Sequence, residues 1–216
     1  MRASVMVVAF VLVFSTIAPA QFGVGWMKTP QVVVIAPADD PRQPLVDEAV
    51  SFWNETLAEL GSGFRLGTIT RHAGAVPGDE LQRMSNLVVE ASRRPNLSLP
   101  DAIINLPGDL FVVLSDAEFV SFAGPFVANH RRMVALRGLA FPPMNLPNVA
   151  RNVIAHELGH AMGLGHNNDE TSLMCGRPSS CRPGLFRSNE PKMFPLTAKE
   201  RGDLITIYPS NWAPGR

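Results

Sequence analysis

The sequence has no excess of charge of either sign and no dense run of basic residues. Its 216 residues carry 19 lysines and arginines against 19 aspartates and glutamates, so the formal net charge is zero. Proteins that bind nucleic acid or anionic membrane surfaces commonly present a basic face. The composition therefore predicts no nucleic-acid partner, and a hydrophobic content of 46% fits one globular domain of ordinary size.

Cysteine is also scarce, since Cys175 and Cys181 are the only two in the chain. Two cysteines cannot complete a four-cysteine zinc site. They can close a small loop as a disulfide, stay as free thiols, or contribute to a metal site. We favour a disulfide between Cys175 and Cys181 that stiffens one loop, because the N-terminus predicts export to an oxidising compartment.

The strongly apolar part of the sequence is its N-terminus, where Arg2 is the only charge before Lys28. The run ends in Ala18-Pro19-Ala20. A positive start, a short apolar core and small residues at the end predict a secretory signal peptide over residues 1–20. The alternative is an uncleaved anchor, because the uncharged stretch 3–27 can span a bilayer. Both interpretations predict a secreted or extracytoplasmic protein with one domain over residues 21–216, which meets a membrane only if the segment is retained.

Hydrophobic periodicity predicts an α/β fold in which a mixed, twisted sheet packs on helices. Strands are predicted over 31–37, 63–71, 109–116 and 131–141, and helices over 44–61, 79–94, 148–165 and 197–209. The last of these helices begins with a threonine cap and ends before a proline. Residues 166–196 are rich in Ser, Gly, Pro, Asn and Arg, and they predict a long irregular loop between the last two helices.

The stretch "HELGHAMGLGH", residues 156–166, holds three of the five histidines. His156 and His160 are four residues apart, so on a helix both imidazoles lie on one face and can reach one metal ion. Gly163 can adopt the left-handed conformation that ends a helix and turns the chain, which would bring His166 back as a third ligand. The carboxylate of Glu157 lies to one side, where it can hold a water. The spacing therefore predicts a zinc site with one open position.

The spacing H-E-x-x-H-x-x-G-x-x-H resembles the signature of the metzincin clan of zinc metallopeptidases. The resemblance implies that His156, His160 and His166 bind one catalytic Zn²⁺. It implies that Glu157 is the general base of peptide-bond hydrolysis by a metal-bound water. It also implies that Met174, in "TSLMCG", forms a methionine turn beneath the zinc. Within the clan the sequence is most similar to the matrixin branch, specifically over 156–174 and more weakly over 31–209.

The sequence departs from the matrixin pattern directly after Met174. Cys175, Gly176, Arg177 and Pro178 stand where matrixins have a Pro-x-Tyr segment that lines the specificity pocket, and other branches of the clan have a tyrosine at the position of Gly176. The resemblance therefore implies no substrate preference, and it leaves the zinc alone to hold the oxyanion. A bound calcium ion has no support in the sequence, since "NNDE" at 167–170 is predicted to be a solvated loop.

The predicted function is a zinc-dependent endopeptidase that acts on peptide or protein substrates. We expect the substrate to bind extended along an edge strand, within 131–141 or just before it. The alternative is an exported zinc-binding interaction module without peptidase activity, although zinc binding alone does not require Glu157. If the metal were structural, four protein ligands would normally close its site, with Cys175 or Cys181 as the fourth. The sequence does not indicate an oligomeric state.

Overall fold

The computed structural model describes residues 25–90, 97–126, 131–176, 181 and 190–215. The predicted signal peptide, residues 1–20, lies outside them, as do the last four residues of the predicted helix 79–94. In the part of the chain that is described, no helix is both long and apolar enough to cross a bilayer.

The described residues form one five-stranded sheet and five helices. In chain order the elements are β1 (Val32–Ala36), α1 (Gln43–Glu59), β2 (Ile69–Ala73), α2 (Gly78–Glu90), α3 (Asp101–Ile104), β3 (Leu110–Leu114), β4 (Phe122–Phe126), β5 (Arg132–Leu136), α4 (Pro147–Ala161) and α5 (Ala198–Ile207). The strand order is β2-β1-β3-β5-β4. Neighbouring strands are parallel, except that β4 is antiparallel to β5. The predicted mixed α/β fold is confirmed.

Both faces of the three inner strands, β1, β3 and β5, are buried. Alternate residues of the three inner strands enter opposite cores. The core shared with α1, α4 and α5 contains Val34, Val112 and Val134. The core shared with α2 and α3 contains Ile35, Val113 and Ala135. A parallel sheet covered on both faces has continuous apolar strands rather than alternating ones, which explains the runs "VVVIA" and "LFVVL".

The predicted strand 63–71 is wrong in its first half, because β2 begins only at Ile69. The side-chain amide of Asn54, on α1, donates to the carbonyl of Leu66 (3.0 Å), and its oxygen accepts from the amide of Leu66 (2.8 Å). Both backbone groups of Leu66 are therefore taken, and none is left for a strand ladder. Phe64 and Leu66 are both buried in the core. From the sequence alone, two buried residues with this spacing cannot be distinguished from a strand that pairs in a sheet.

The strand β4 has no counterpart among the predicted elements. Its sequence, "FAGPF", contains Gly124, with a φ of 141°, and Pro125, which has no amide hydrogen. The pairing with β5 shifts register between Ala123 and Phe126. Glycine and proline are tolerated in a strand at a sheet edge or a bulge, and β4 has both. The predicted strand 131–141 corresponds to β5 but ends at Leu136.

The C-terminal end of α4 is held by two side chains from other elements. Arg132, at the start of β5, donates to the carbonyl of Ala161 and to that of Gly25. The hydroxyl of Tyr208, just after α5, donates to the carbonyl of Met162 (2.8 Å) and accepts from the amide of Trp26 (3.2 Å). The last carbonyls of a helix have no partner within it, and a positive charge there is favourable. The end of α4 is thereby tied to β5 and α5.

Tyr208 is expected to make stability fall at alkaline pH. Burial raises the pKa of its hydroxyl from 10 to about 12. Between these values the unfolded chain releases a proton that the folded chain keeps, so the free energy of unfolding falls by about 1.4 kcal/mol per pH unit, or roughly 2–3 kcal/mol in all. Tyr208→Phe is expected to remove this contribution, at a cost of about 1–3 kcal/mol at neutral pH because Met162 and Trp26 lose a partner.

This expectation is checked by urea unfolding of both proteins from pH 8 upward. Tyr208 is the only tyrosine in the chain, so tyrosinate absorbance reports its ionisation directly. Equal pH slopes for the two proteins would contradict the role assigned to Tyr208.

Candidate metal centre

The helix that carries the histidine motif ends earlier than predicted. The predicted helix 148–165 is α4, which ends at Ala161. Gly163 has a φ of 105°. Its amide donates to the carbonyl of His160 (3.0 Å), and the amide of Leu164 donates to the carbonyl of Gly159 (3.0 Å). This pair of bonds is the Schellman pattern, in which a left-handed residue satisfies the last carbonyls of a helix. The chain therefore reverses at Gly163 and brings His166 back along α4.

Three imidazole rings converge at the end of α4. The Nε2 atom of His166 lies 3.2 Å from Nε2 of His156 and 3.0 Å from Nε2 of His160. Nitrogens placed tetrahedrally at about 2.0–2.1 Å from one zinc ion are about 3.3 Å apart, so the spacing fits a single ion. Among the described residues, no other group of three or more His, Cys, Asp or Glu side chains lies close enough to share one.

The two helical histidines are oriented by backbone carbonyls. Nδ1 of His156 donates to the carbonyl of Leu173 (2.8 Å), and Nδ1 of His160 donates to that of Leu164 (2.8 Å). Because Nδ1 carries the proton in each neutral ring, Nε2 presents a lone pair toward the other histidines. Bonds of this kind fix the tautomer of a metal ligand and raise its basicity. The turn after α4 and the segment before Met174 therefore both support the centre.

His166 is positioned by pairing between its neighbour and the segment that follows Met174. The amide of Asn167 donates to the carbonyl of Met174 (2.9 Å), and the amide of Gly176 donates to the carbonyl of Asn167 (3.1 Å). The side chain of Asn167 donates to Ser172 and Glu200, so this is not the freely solvated start of "NNDE" that the sequence predicts. Desolvation lowers the pKa of His166, although much of the residue is exposed.

Glu157 follows His156 on α4 and is only 6% exposed. Within the described part of the chain, no hydrogen bond to its carboxylate is found. Burial raises the pKa of Glu157 to about 8, and a cation among the imidazoles would oppose this shift by favouring the charged form. A buried carboxyl group without a partner costs stability. Such groups cluster at functional sites.

Met174 is fully buried, and it lies against Gly159, near the C-terminal end of α4. A Cβ atom added to Gly159 would lie 2.5 Å from Sδ of Met174 and 3.0 Å from the ring of Trp53. Gly159 therefore makes room for Met174 and Trp53 on the helix. The sequence-based interpretation gave Gly159 no role. The sequence feature that could have indicated a role is the position of Gly159 inside a predicted helix. Glycine there costs about 1 kcal/mol of stability relative to alanine, so its presence suggests a packing requirement.

We expect Gly159→Ala to destabilise the protein, although alanine is the better helix former. The added methyl group must displace Met174 or Trp53, and overpacking of a filled core costs about 1–3 kcal/mol. The matched control is Gly202→Ala on α5, where an added Cβ meets nothing within 4 Å, so about 0.5–1 kcal/mol of stability should be gained. Urea unfolding measures both. A gain in both variants would show that Gly159 has no packing role.

The Cys175–Cys181 disulfide is present, and neither cysteine is free. The chain has no other cysteine, so no thiol is left to act as a fourth metal ligand. One form of the alternative function is therefore excluded: an interaction module whose structural metal has a cysteine as its fourth ligand. Arg177 and Pro178, where the sequence departs from the matrixin pattern, lie outside the described residues.

The arrangement of the centre is typical of a metzincin-type metalloprotease site. It consists of a helix with two converging histidines, a reversing turn that brings in a third, and a buried glutamate. The matrixin family model of the M10 peptidases matches residues 142–187, which include α4, the turn and the Met174 segment. The predicted resemblance to the metzincin clan, and within it to the matrixins, is confirmed.

The chain is similar over 56 residues to matrix metalloproteinase-27 from Homo sapiens and to the protein of the same name from Tupaia belangeri, with 38% identity in both cases. The similar segment makes up 26% of this chain and 9% of each relative. Among solved structures, archaemetzincin from Methanopyrus kandleri has a TM-score of 0.44 and 16% identity, covering 84% of this chain and 96% of that one. Metalloproteinase-II from Bacteroides fragilis has a TM-score of 0.49 and 15% identity, covering 86% and 55%.

Proposed function

We propose that the chain is a zinc-dependent endopeptidase, with residues 21–216 as one catalytic domain and with peptides or proteins as substrates. The observation that carries the proposal is the convergence of the three Nε2 atoms beside a buried glutamate. Two of the rings are held by carbonyls in the tautomer that ligates a metal. Metal binding alone would not require a buried carboxylate in this position.

His156, His160 and His166 are the residues that would hold the ion. When bound there, Zn²⁺ supplies a Lewis acid that polarises the scissile carbonyl and lowers the pKa of water toward about 7. Both cysteines are in a disulfide, and no further His, Cys, Asp or Glu of the described residues joins the three histidines, so within that part of the chain a fourth position is left open. An open position is typical of catalytic zinc sites, whereas structural sites are closed by four protein ligands.

Glu157 accepts a proton from the attacking water and passes it to the leaving amine. Its carboxylate is free for this exchange because no hydrogen bond to it is found among the described residues. The only tyrosine of the chain, Tyr208, is fully buried and bonded to the carbonyl of Met162. Charge that develops on the substrate carbonyl is therefore not stabilised by a phenol of this chain.

The substrate binds extended along β4. The expectation that 131–141 itself provides the substrate strand is wrong, because β5 lies between β3 and β4 in the sheet. The segment just before it, β4, stands at the edge of the sheet and contacts α4. An extended peptide can add to an open strand edge through backbone hydrogen bonds. The Cys175–Cys181 disulfide supports a secreted or extracytoplasmic location, since disulfides persist in oxidising compartments.

The proposal is tested by assaying the purified chain for zinc content and for cleavage of a mixed peptide pool. We expect one zinc per chain and cleavage that a chelator abolishes and added zinc restores. Stoichiometric zinc without any cleavage by the folded protein would favour the exported zinc-binding module instead. Cleavage that survives complete removal of metal would contradict the mechanism.

A further inference from the structure

We propose that Gly176 is a positioning residue for His166: on the backbone path that this chain takes after Met174, a side chain at position 176 would collide with the third imidazole and move it away from the other two. The inference rests on the proposed function, since it concerns the ion that the histidines hold. Gly176 lies ten residues beyond His166 and outside the eleven-residue motif, so the motif gives no indication of this role.

The contact between Gly176 and the ring of His166 is close. A Cβ atom added to Gly176 would lie 2.1 Å from Cγ, 2.3 Å from Cδ2 and 2.6 Å from Nδ1 of His166. Gly176 does not have a left-handed φ, so its backbone conformation does not require glycine. The ring of His166 is therefore the physical reason for glycine at this position.

The backbone of Gly176 has little freedom to move away from the ring. Gly176 and Met174 both form backbone hydrogen bonds to Asn167, directly after His166. The amide of Leu173 donates to the carbonyl of Pro195 (2.8 Å). Cys175, which directly precedes Gly176, is held by its disulfide to Cys181. Any movement of this segment would break several of these contacts at once.

A side chain at position 176 must therefore displace the ring of His166. Rotation about the Cβ–Cγ bond leaves Cγ in place, and Cγ is the closest of the three atoms. The ring can clear an added methyl group only by rotating about the Cα–Cβ bond of His166. This rotation moves the Nε2 atom of His166 away from the Nε2 atoms of His156 and His160. A metal ion held by all three nitrogens would then lose part of its coordination.

The experiment is a double-mutant cycle on zinc affinity, measured with the full chain in competition with a chromogenic chelator. We expect Gly176→Ala to weaken zinc binding about 10- to 100-fold, the loss typical of changes that misorient a ligand. His166→Ala should weaken it further. Gly176→Ala should add nothing in the His166→Ala background, because the displaced ring is then absent. Gly202→Ala, the matched change at an open helical position, should leave zinc affinity unchanged.

Unfolding of the metal-free proteins provides a second measurement that stays informative if Gly176→Ala folds poorly. The double variant has room for the new methyl group, so it should be more stable than Gly176→Ala alone. Wild-type zinc affinity in Gly176→Ala would overturn the inference, as would an equal loss with and without His166 or a failure of His166→Ala to restore folding. Unchanged affinity in His166→Ala alone would instead overturn the proposed ligand set.

Discussion

Replacing Glu157 with glutamine is expected to remove most peptide cleavage while leaving zinc in place. Glutamine has nearly the same shape but cannot accept a proton from water, and general acid–base catalysis contributes about 10²–10⁴-fold to a rate. We therefore expect kcat to fall by about that factor, with one zinc per chain retained. The folded protein should lose no stability, because a neutral amide avoids the desolvation that raises the pKa of Glu157 to about 8.

The matched control is Glu170→Gln, which makes the same chemical change on an exposed residue four positions beyond His166. It should cleave peptides like the wild type. Zinc analysis of the same samples separates the two roles that Glu157 can have. Loss of zinc together with activity would mean that the glutamate supports the ligands. A Glu157→Gln variant within a factor of about ten of wild-type kcat would place the general base elsewhere.

The geometry of the histidines could be predicted because it depends on local rules. Two histidines four residues apart share a helix face whatever surrounds the helix, and a glycine placed three residues later allows the chain to reverse. Only the extent of the helix was wrong: α4 ends at Ala161 rather than at residue 165. The apolar spacing that predicts the helix continues through Leu164, because Leu164 is buried although it lies beyond the helix. This spacing therefore does not show where the helix ends.

The supports of the site could not be predicted because they join residues that are distant in sequence. Gly159 leaves room for Met174 and Trp53, and Gly176 for His166. The sequence around each glycine gives no indication of this role. The role follows only from a residue distant in sequence that would collide with a side chain at the glycine position. Asn54 is a similar case: its side chain takes both backbone groups of Leu66, so Leu66 does not pair in the sheet.

Arg42 is a further example, in a polar, proline-containing stretch, "DDPRQP", that predicts a turn. It is only 1% exposed. Its guanidinium donates to both carboxylate oxygens of Asp40 and to the carbonyls of Ser115 and Arg137 (2.9 and 2.8 Å). These carbonyls lie directly after β3 and β5, so one side chain connects the start of α1 with the ends of two inner strands.

We expect Arg42→Met to lower the free energy of unfolding by about 3–5 kcal/mol, measured by urea denaturation. Methionine fills much of the space, but the carboxylate of Asp40, 3% exposed in the folded state, is left without its charge partner. Removing one member of a buried ion pair typically costs this much. Arg83→Met is the control: Arg83 pairs with Asp79 on the surface of α2, and surface pairs contribute little, so no measurable loss is expected.

The double variant Asp40→Leu/Arg42→Met separates the two origins of this loss. If the cost of Arg42→Met comes from the unpaired, buried carboxylate of Asp40, removing that carboxylate as well should recover a large part of the stability. Apolar groups of similar volume often replace a buried ion pair without loss of stability. If it comes from the carbonyls of Ser115 and Arg137, which then lose their donor, the double variant should be no more stable than the single one. The first outcome would make Arg42 the neutraliser of Asp40. The second would make it the hydrogen-bonding link between β3, β5 and α1, the helix on which α4 packs.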